Sequence, residues 1–264
     1  MNPTHLQYTN LTGIPTAHFA SPLFNERPIE THINGVREMN SPLFATLDRF
    51  TEAEAPHIFM EHMKAMFSLD EEETIAGKKC FKANYLRLLR GWFFDSNRPE
   101  GAVMKGWAES RFGLMPLFHG DAITDVNCRA YWNYISERMH PRFNNNAIFC
   151  QFDILYEFAQ YFLKRFERSG PVTLYRGLNI SGREDPVIQK TEKRRWIVRN
   201  NSLVSYTACR ERASEFGDII LMVEVPFEKT LCFPKLLPGK LPAYENEYII
   251  LGGDYISTVV ELEP

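Results

Sequence analysis

The pattern of this 264-residue chain changes once, at Ser169-Gly170-Pro171, and the change limits the folds open to it. Before that point, regular stretches repeat apolar residues every three or four positions, as a helix buried along one face requires. The clearest stretch is 146–167, where Ile148, Phe152, Leu155, Ala159, Phe162 and Phe166 follow one another in alternating steps of four and three. Shorter segments of this kind lie at 43–67, 85–93 and 131–139. After the change, short runs rich in β-branched and aromatic residues are separated by Gly, Pro or Asp, and they predict strands at 172–175, 203–207, 219–225, 247–251 and 255–261. A further helix fits 209–216, with Thr207 as its cap. Helices followed by consecutive strands predict an α+β fold, with a mainly helical region over 1–168 and a β-rich core over 169–264. This length suits one compact unit or two intimately packed lobes, because single cores stop growing near ~250–300 residues. Several prolines and Asn34-Gly35 predict an extended, irregular arm over about the first 40 residues.

Composition excludes several classes. Hydrophobic residues at 44% and aromatic residues at 13% place the chain among globular proteins rather than disordered ones. A formal charge of −3 gives no electrostatic reason to expect general binding to nucleic acid or to an anionic membrane. The basic run 190–199 reads as a solvated face. Five scattered cysteines without a CxxC pair indicate neither a disulfide framework nor a zinc site, and no cluster of histidines offers metal ligands. No basic segment precedes an apolar run near Met1, and no stretch of about eighteen apolar residues occurs, so the expected location is the cytoplasm.

Three elements of the β-rich part carry chemistry. The first is Leu174-Tyr175-Arg176-Gly177, which sets a guanidinium near a strand end and follows it with glycine. The planar fork of Arg176 suits phosphate and ribose oxygens, although a structural salt bridge explains most such arginines. In the second, Ser205-Tyr206-Thr207, alternation turns both hydroxyls to one face and Tyr206 to the other. Local caps are the other reading of these hydroxyls. The third is Glu245-Asn246-Glu247, opening an apolar strand. Period-two geometry sets its two carboxylates on the same side, with Cα atoms roughly 6–7 Å apart. Like charges so close oppose folding unless they are used, and a solvated acidic turn is the alternative.

Order and spacing join these elements. Tyr-Arg-Gly comes first, then Ser-x-Thr leading to a helix that ends Glu215-Phe216-Gly217, then Glu-x-Glu before an apolar strand and a Gly-Gly-Asp turn. This resembles the arginine-specific Arg-Ser-Glu class of mono-ADP-ribosyltransferases. The likeness extends through Asn10-Leu-Thr-Gly-Ile-Pro-Thr, Gly35-Val-Arg-Glu-Met-Asn, Gly91-Trp-Phe-Phe-Asp-Ser-Asn-Arg-Pro-Glu-Gly, Lys105-Gly-Trp-Ala-Glu-Ser-Arg-Phe-Gly, Arg142-Phe-Asn-Asn-Asn-Ala-Ile and Tyr248-Ile-Ile-Leu-Gly-Gly-Asp-Tyr. Together these blocks resemble the dinitrogenase reductase ADP-ribosyltransferase family nearly end to end.

The resemblance implies an ADP-ribosyltransferase-type mixed β core and transfer of ADP-ribose from NAD to an arginine of nitrogenase iron protein, with release of nicotinamide. It implies no metal, and a PII-type nitrogen-signalling protein as regulator. Breaking the nicotinamide–ribose bond builds positive charge on the sugar, as in glycoside hydrolysis, and a fixed carboxylate lowers that barrier. By its place in the motif, Glu247 holds the ribose 2′-hydroxyl and stabilises the cation, while Glu245 polarises the incoming arginine. Arg176 clamps NAD, Ser205 positions Glu247 or the ribose, and Thr207 is the second hydroxyl of the motif. Tyr206 is bulkier than the residue common at the middle position. Gly177 lets NAD approach the backbone, and Phe216 stacks on nicotinamide. Residues 236–244 occupy the place of a target-recognition loop with Tyr244 as its aromatic contact; an ordinary Pro-rich connection is the other reading. Asp95, Asn97, Arg98, Glu100 and Asn144 to Asn146 lie in polar loops that cover the NAD site, touch the partner or cap helices. Another target on the same scaffold, or an NAD-binding module without catalysis, remains compatible with these residues.

Overall fold

The computed structural model describes residues 10–69, 72–75, 78–81, 83–167, 170–179, 186–192, 194–241 and 246–262. The helices are α1 Thr16–Phe19, α2 Pro22–Glu26, α3 Val36–Met39, α4 Ser41–Leu47, α5 Ala55–Phe67, α6 Tyr85–Phe94, α7 Pro99–Phe112, α8 Arg129–Arg138, α9 Ile148–Phe166 and α10 Arg210–Ala213. The strands are β1 Glu72–Ile75, β2 Lys78–Phe81, β3 Val172–Leu178, β4 Val187–Glu192, β5 Arg195–Thr207, β6 Ile219–Val225, β7 Thr230–Cys232 and β8 Glu247–Leu262. Strands β1 and β2 form a separate hairpin. The α+β reading holds, and the predicted helix at 146–167 is α9, whose middle is buried all round from Gln151 to Leu163.

The six remaining strands run in the order β4-β5-β3-β6-β8-β7, and an additional β5–β8 pairing closes β5, β3, β6 and β8 into a ring. Every pairing among the described residues is antiparallel, which corrects the expected mixed sheet. Closure needs long strands that bend. β5 changes register between Asn200 and Leu203, opposite Gly252 and Gly253 of β8. A Cβ on Gly252 would stand 1.8 Å from the Asn201 carbonyl oxygen, and Gly253 takes a φ of 114°, so only glycine fits this bend. The Gly-Gly-Asp segment is therefore a kink inside one 16-residue strand, not a turn between two.

Alternation sorts the β5 side chains between two hydrophobic clusters. Leu203 joins the main core with Ile249 and Leu251 of β8 and with the helices, whereas Val204 and Tyr206 join Leu174, Val223 and Ile250 inside the ring. The helical part thus lies against the outer face of β5 and β8.

The segment predicted as an extended, irregular arm carries three short helices, α1 to α3, and is irregular between α2 and α3. α1 and α2 bury Phe19 and Phe24, Ser21 Oγ accepts from Phe24 N at 3.3 Å, and the Ala20 carbonyl accepts from Asp254 N at 2.7 Å. Pro15 and Pro22 stand before or at the first helical residue, where a missing N–H costs nothing. The predicted segment 43–67 divides into α4 and α5. α7 escaped the periodicity reading because Gly101 through Glu109 are all buried and leave no polar face. Within it Lys105 is 1% exposed and bonds Asn97 Oδ1 at 3.3 Å and the Phe118 carbonyl at 2.9 Å. In the basic run, Lys190 to Glu192 are exposed on edge strand β4, but Trp196 and Val198 of β5 are buried.

Candidate functional site

A cavity of about 390 Å³ opens where the C-terminal end of α6 meets the ends of β3, β5 and β8. Its lining includes Arg176, Gly177, Ser205, Thr207, Phe216 and Glu247, together with Trp92 to Asn97, Phe118, Asn201, Tyr175 and Arg212. The residues singled out on three separate strands therefore share one cavity.

The ladder explains the grouping. Thr207 pairs with Glu247 and Ser205 with Ile249, and residues directly opposite in a ladder share a face. Glu247, Thr207 and Ser205 thus point to the outer, helix-covered side, continuing the row of Leu203, Ile249 and Leu251. Arg176 arrives differently. It shares the parity of Leu174, which lies inside the ring, and its Nη1 donates to the Ser205 carbonyl at 2.8 Å. Its guanidinium carbon lies 5.9 Å from the centre of the Tyr206 ring. Tyr206 is 2% exposed and exchanges hydrogen bonds with the Asn200 side chain, so the bulk at the middle of Ser-x-Thr supports the arginine from below.

The two hydroxyls differ in their settings. Ser205 Oγ accepts from Trp92 Nε1 at 2.8 Å. Thr207 Oγ1 accepts from Cys209 N at 3.1 Å, a local turn rather than a cap, since the residue that precedes α10 is Cys209, whose side chain makes no cap bond to the helix backbone. The predicted helix at 209–216 is α10 followed by a 3₁₀ turn over Ser214–Phe216. Gly177 faces this segment. A Cβ there would stand 2.1 Å from the Ala213 carbonyl oxygen and 2.9 Å from Gly217 N, so its missing side chain admits a neighbouring turn as well as bordering the cavity. Phe216, 63% exposed, and Phe94, 75% exposed, are the open aromatic members of the lining.

Tyr244 and Glu245 lie outside the described residues. Asn246 has a φ of 43°, and β8 begins at Glu247, so period-two alternation does not run back through Asn246. Leu236 and Leu237, at the start of the predicted recognition loop, are buried in the main core, and the Lys240 carbonyl accepts from Arg90 Nε at 3.2 Å.

Of the polar loop residues, Asp95 and Asn97 line the cavity. Asp95 Oδ1 accepts from Asn97 N at 2.9 Å, and Asn97 Oδ1 from Gly120 N at 3.2 Å. Arg98 instead lies over the Phe94 ring at 4.6 Å, and Asn144 and Asn145 tie helix ends through the Arg138 and Ala83 carbonyls. Sequence reasoning missed Trp92, Phe118, Asn201 and Arg212. The aromatic and polar density of 91–98 was a signal for Trp92; Phe118 and Asn201 carried none. Asn201 is placed by the β5 irregularity, where its side chain accepts from Leu117 N at 2.9 Å and donates to the Phe118 carbonyl at 2.8 Å.

Cations and carboxylates border the same space, a combination suited to a ligand that carries phosphates and develops positive charge. Among the described residues, no group of three or more His, Cys, Asp or Glu is placed to hold a metal ion. No described helix is long and apolar enough to cross a membrane.

Two comparisons bear on this arrangement. Residues 9–259 match the family model described as dinitrogenase reductase ADP-ribosyltransferase. The chain is also 45% identical over 257 residues to the NAD(+)--dinitrogen-reductase ADP-D-ribosyltransferase of Rhodospirillum rubrum, covering 94% of this chain and 93% of that one. No solved structure matches the chain.

Proposed function

The chain belongs to the dinitrogenase reductase ADP-ribosyltransferase family, and from that premise we propose that it transfers ADP-ribose from NAD to an arginine of nitrogenase iron protein, releasing nicotinamide and inactivating nitrogen fixation. The observation that carries the site-level reading is the shared cavity of Arg176, Ser205 and Glu247, three residues on three strands.

In this reading the bond between nicotinamide nitrogen and ribose C1′ breaks with its electron pair leaving on nicotinamide. The ribose becomes oxocarbenium-like, and the Glu247 carboxylate stabilises that charge from a position fixed by the sheet. Arg176, held by the Ser205 carbonyl and backed by Tyr206, engages the pyrophosphate or ribose oxygens of NAD. Ser205 and Thr207 orient the ribose, and Phe216 covers nicotinamide. Attack by a guanidinium nitrogen on C1′ then needs a base to remove its proton, since arginine is protonated at neutral pH. That role falls to Glu245 by its place in the motif, with Tyr244 contacting the target. The ADP-ribosyltransferase fold, a cytoplasmic location and control by a PII-type protein belong to the same proposal. The hydrophobic cluster joining α9 to β5, β7 and β8 supports 1–168 and 169–264 acting as one unit.

Incubation with labelled NAD and purified iron protein tests the reading, followed by peptide mass spectrometry. One arginine carrying ADP-ribose is the expected product. Absence of label on the iron protein overturns it. A pull-down with a PII-type protein, with and without ADP, tests the regulatory partner.

A further inference from the structure

We propose that Trp92 of α6 is a positioning residue for this reaction, setting the direction in which the Ser205 hydroxyl presents its proton. The proposal deepens the reading of the cavity as an NAD site and rests on it. Trp92 is 3% exposed, its ring belongs to the main core, and its Nε1 lies 2.8 Å from Ser205 Oγ. An indole N–H can only donate, so Ser205 is the acceptor in this bond. One lone pair of Oγ is thereby occupied, and the hydroxyl proton must turn elsewhere. No described residue accepts it.

The remaining direction is the cavity, which both residues line together with Glu247. Ser205 is therefore set as a donor, to a ribose oxygen of NAD or to the Glu247 carboxylate. Its backbone is fixed as well, through the carbonyl bond from Arg176. The Trp92 ring is in turn held in place: Lys105 Nζ lies 6.0 Å from its centre, and that lysine bonds Asn97 and Phe118 of the cavity wall. In this way the helical part contributes to the orientation of a hydroxyl carried by the sheet, across 113 positions of sequence.

A buried indole N–H seeks a partner for stability alone, so the test must separate positioning from packing. Trp92→Phe removes the donor, and replacement by 3-benzothienylalanine exchanges N–H for sulfur while keeping the ring shape. Each is expected to lower kcat about five- to tenfold, the worth of one hydrogen bond, with less change in the KM for NAD. Ser205→Ala combined with either is expected to be no slower than Ser205→Ala alone. In the ¹⁵N–¹H spectrum, Ser205→Ala should shift the Trp92 indole resonance and leave those of Trp107, Trp132 and Trp196 in place. If wild type neither transfers ADP-ribose nor hydrolyses NAD, the functional reading itself fails. If wild type is active, the positioning role is overturned by benzothienylalanine at wild-type rate, by multiplicative loss in the double variant, or by an unmoved Trp92 resonance.

Discussion

Glu247 faces Thr207 directly across the β5–β8 ladder, at the first residue of β8 and the last of β5. The carboxylate is thus held by strand pairing rather than by a loop, and Ser205 follows two positions along the same face. On the proposed reading, such placement would keep a negative charge at a fixed distance from the point where positive charge develops, which is where electrostatic stabilisation is strongest. Arg176 completes the group from β3 by donating to the carbonyl between those two hydroxyls.

Arg176→Lys keeps the charge and loses the planar fork. A single ammonium cannot both satisfy the Ser205 carbonyl and clamp a phosphate in two-point geometry. The expected result is a rise of about tenfold or more in the KM for NAD, roughly the loss of one charge-assisted bond, with the melting temperature little changed. Initial rates against NAD concentration measure it.

Gly177→Ala brings a Cβ onto the Ala213 carbonyl. Because the obstacle is backbone, the turn carrying Arg212, Ala213 and Phe216 must move away from β3. Weaker NAD binding is expected, together with a loss of about 1–3 kcal/mol of stability from overpacking. NAD titration and urea denaturation read the two effects separately.

Asp153 on α9 is 6% exposed and accepts from Trp107 Nε1 at 2.7 Å and from Arg111 Nε and Nη2 at 2.8 Å. Arg111→Met removes the only cation bonded to it among the described residues and strands a buried carboxylate. A destabilisation of about 3–5 kcal/mol is expected by urea denaturation. Arg111 does not border the cavity, so the folded enzyme should keep its kcat.

Two histidines give stability opposite slopes with pH. The hydrogen bond to Glu157, helped by its charge and by Glu30, holds the His32 pKa above the ordinary 6.5 against burial and Arg37. Its contribution is complete below 6.5 and fades as pH rises through the higher folded value. Burial, then the charge of Lys105, lowers His119 despite Glu137 and Asp95. Its contribution is complete above 6.5 and fades as pH falls through the lower folded value. His32→Gln should therefore flatten the alkaline limb of urea midpoint against pH, and His119→Gln the acid limb.

The gathering of Arg176, Ser205, Thr207 and Glu247 at one cavity was legible in the sequence because strand alternation and motif spacing are local. What was not legible depended on surroundings. α7 lost its amphipathic signature through complete burial, and the N-terminal helices were hidden by prolines that mark their starts rather than breaks. Gly252-Gly253 reads as a turn until β5 is seen to continue past it. The Trp92–Ser205 bond joins the two parts of the chain and has no local trace. Alternation across Glu245-Asn246-Glu247 assumed an extended Asn246, whereas its φ is positive.

Substitution of Glu247 by Gln tests the central claim most directly, since it removes the charge while keeping the shape. Wild-type enzyme, NAD and iron protein should yield ADP-ribosylated iron protein by intact-mass spectrometry, and Glu247→Gln should form it about a hundredfold more slowly or worse, the scale for losing a transition-state electrostatic contact. Transfer by Glu247→Gln at the wild-type rate would contradict the assignment of the cavity.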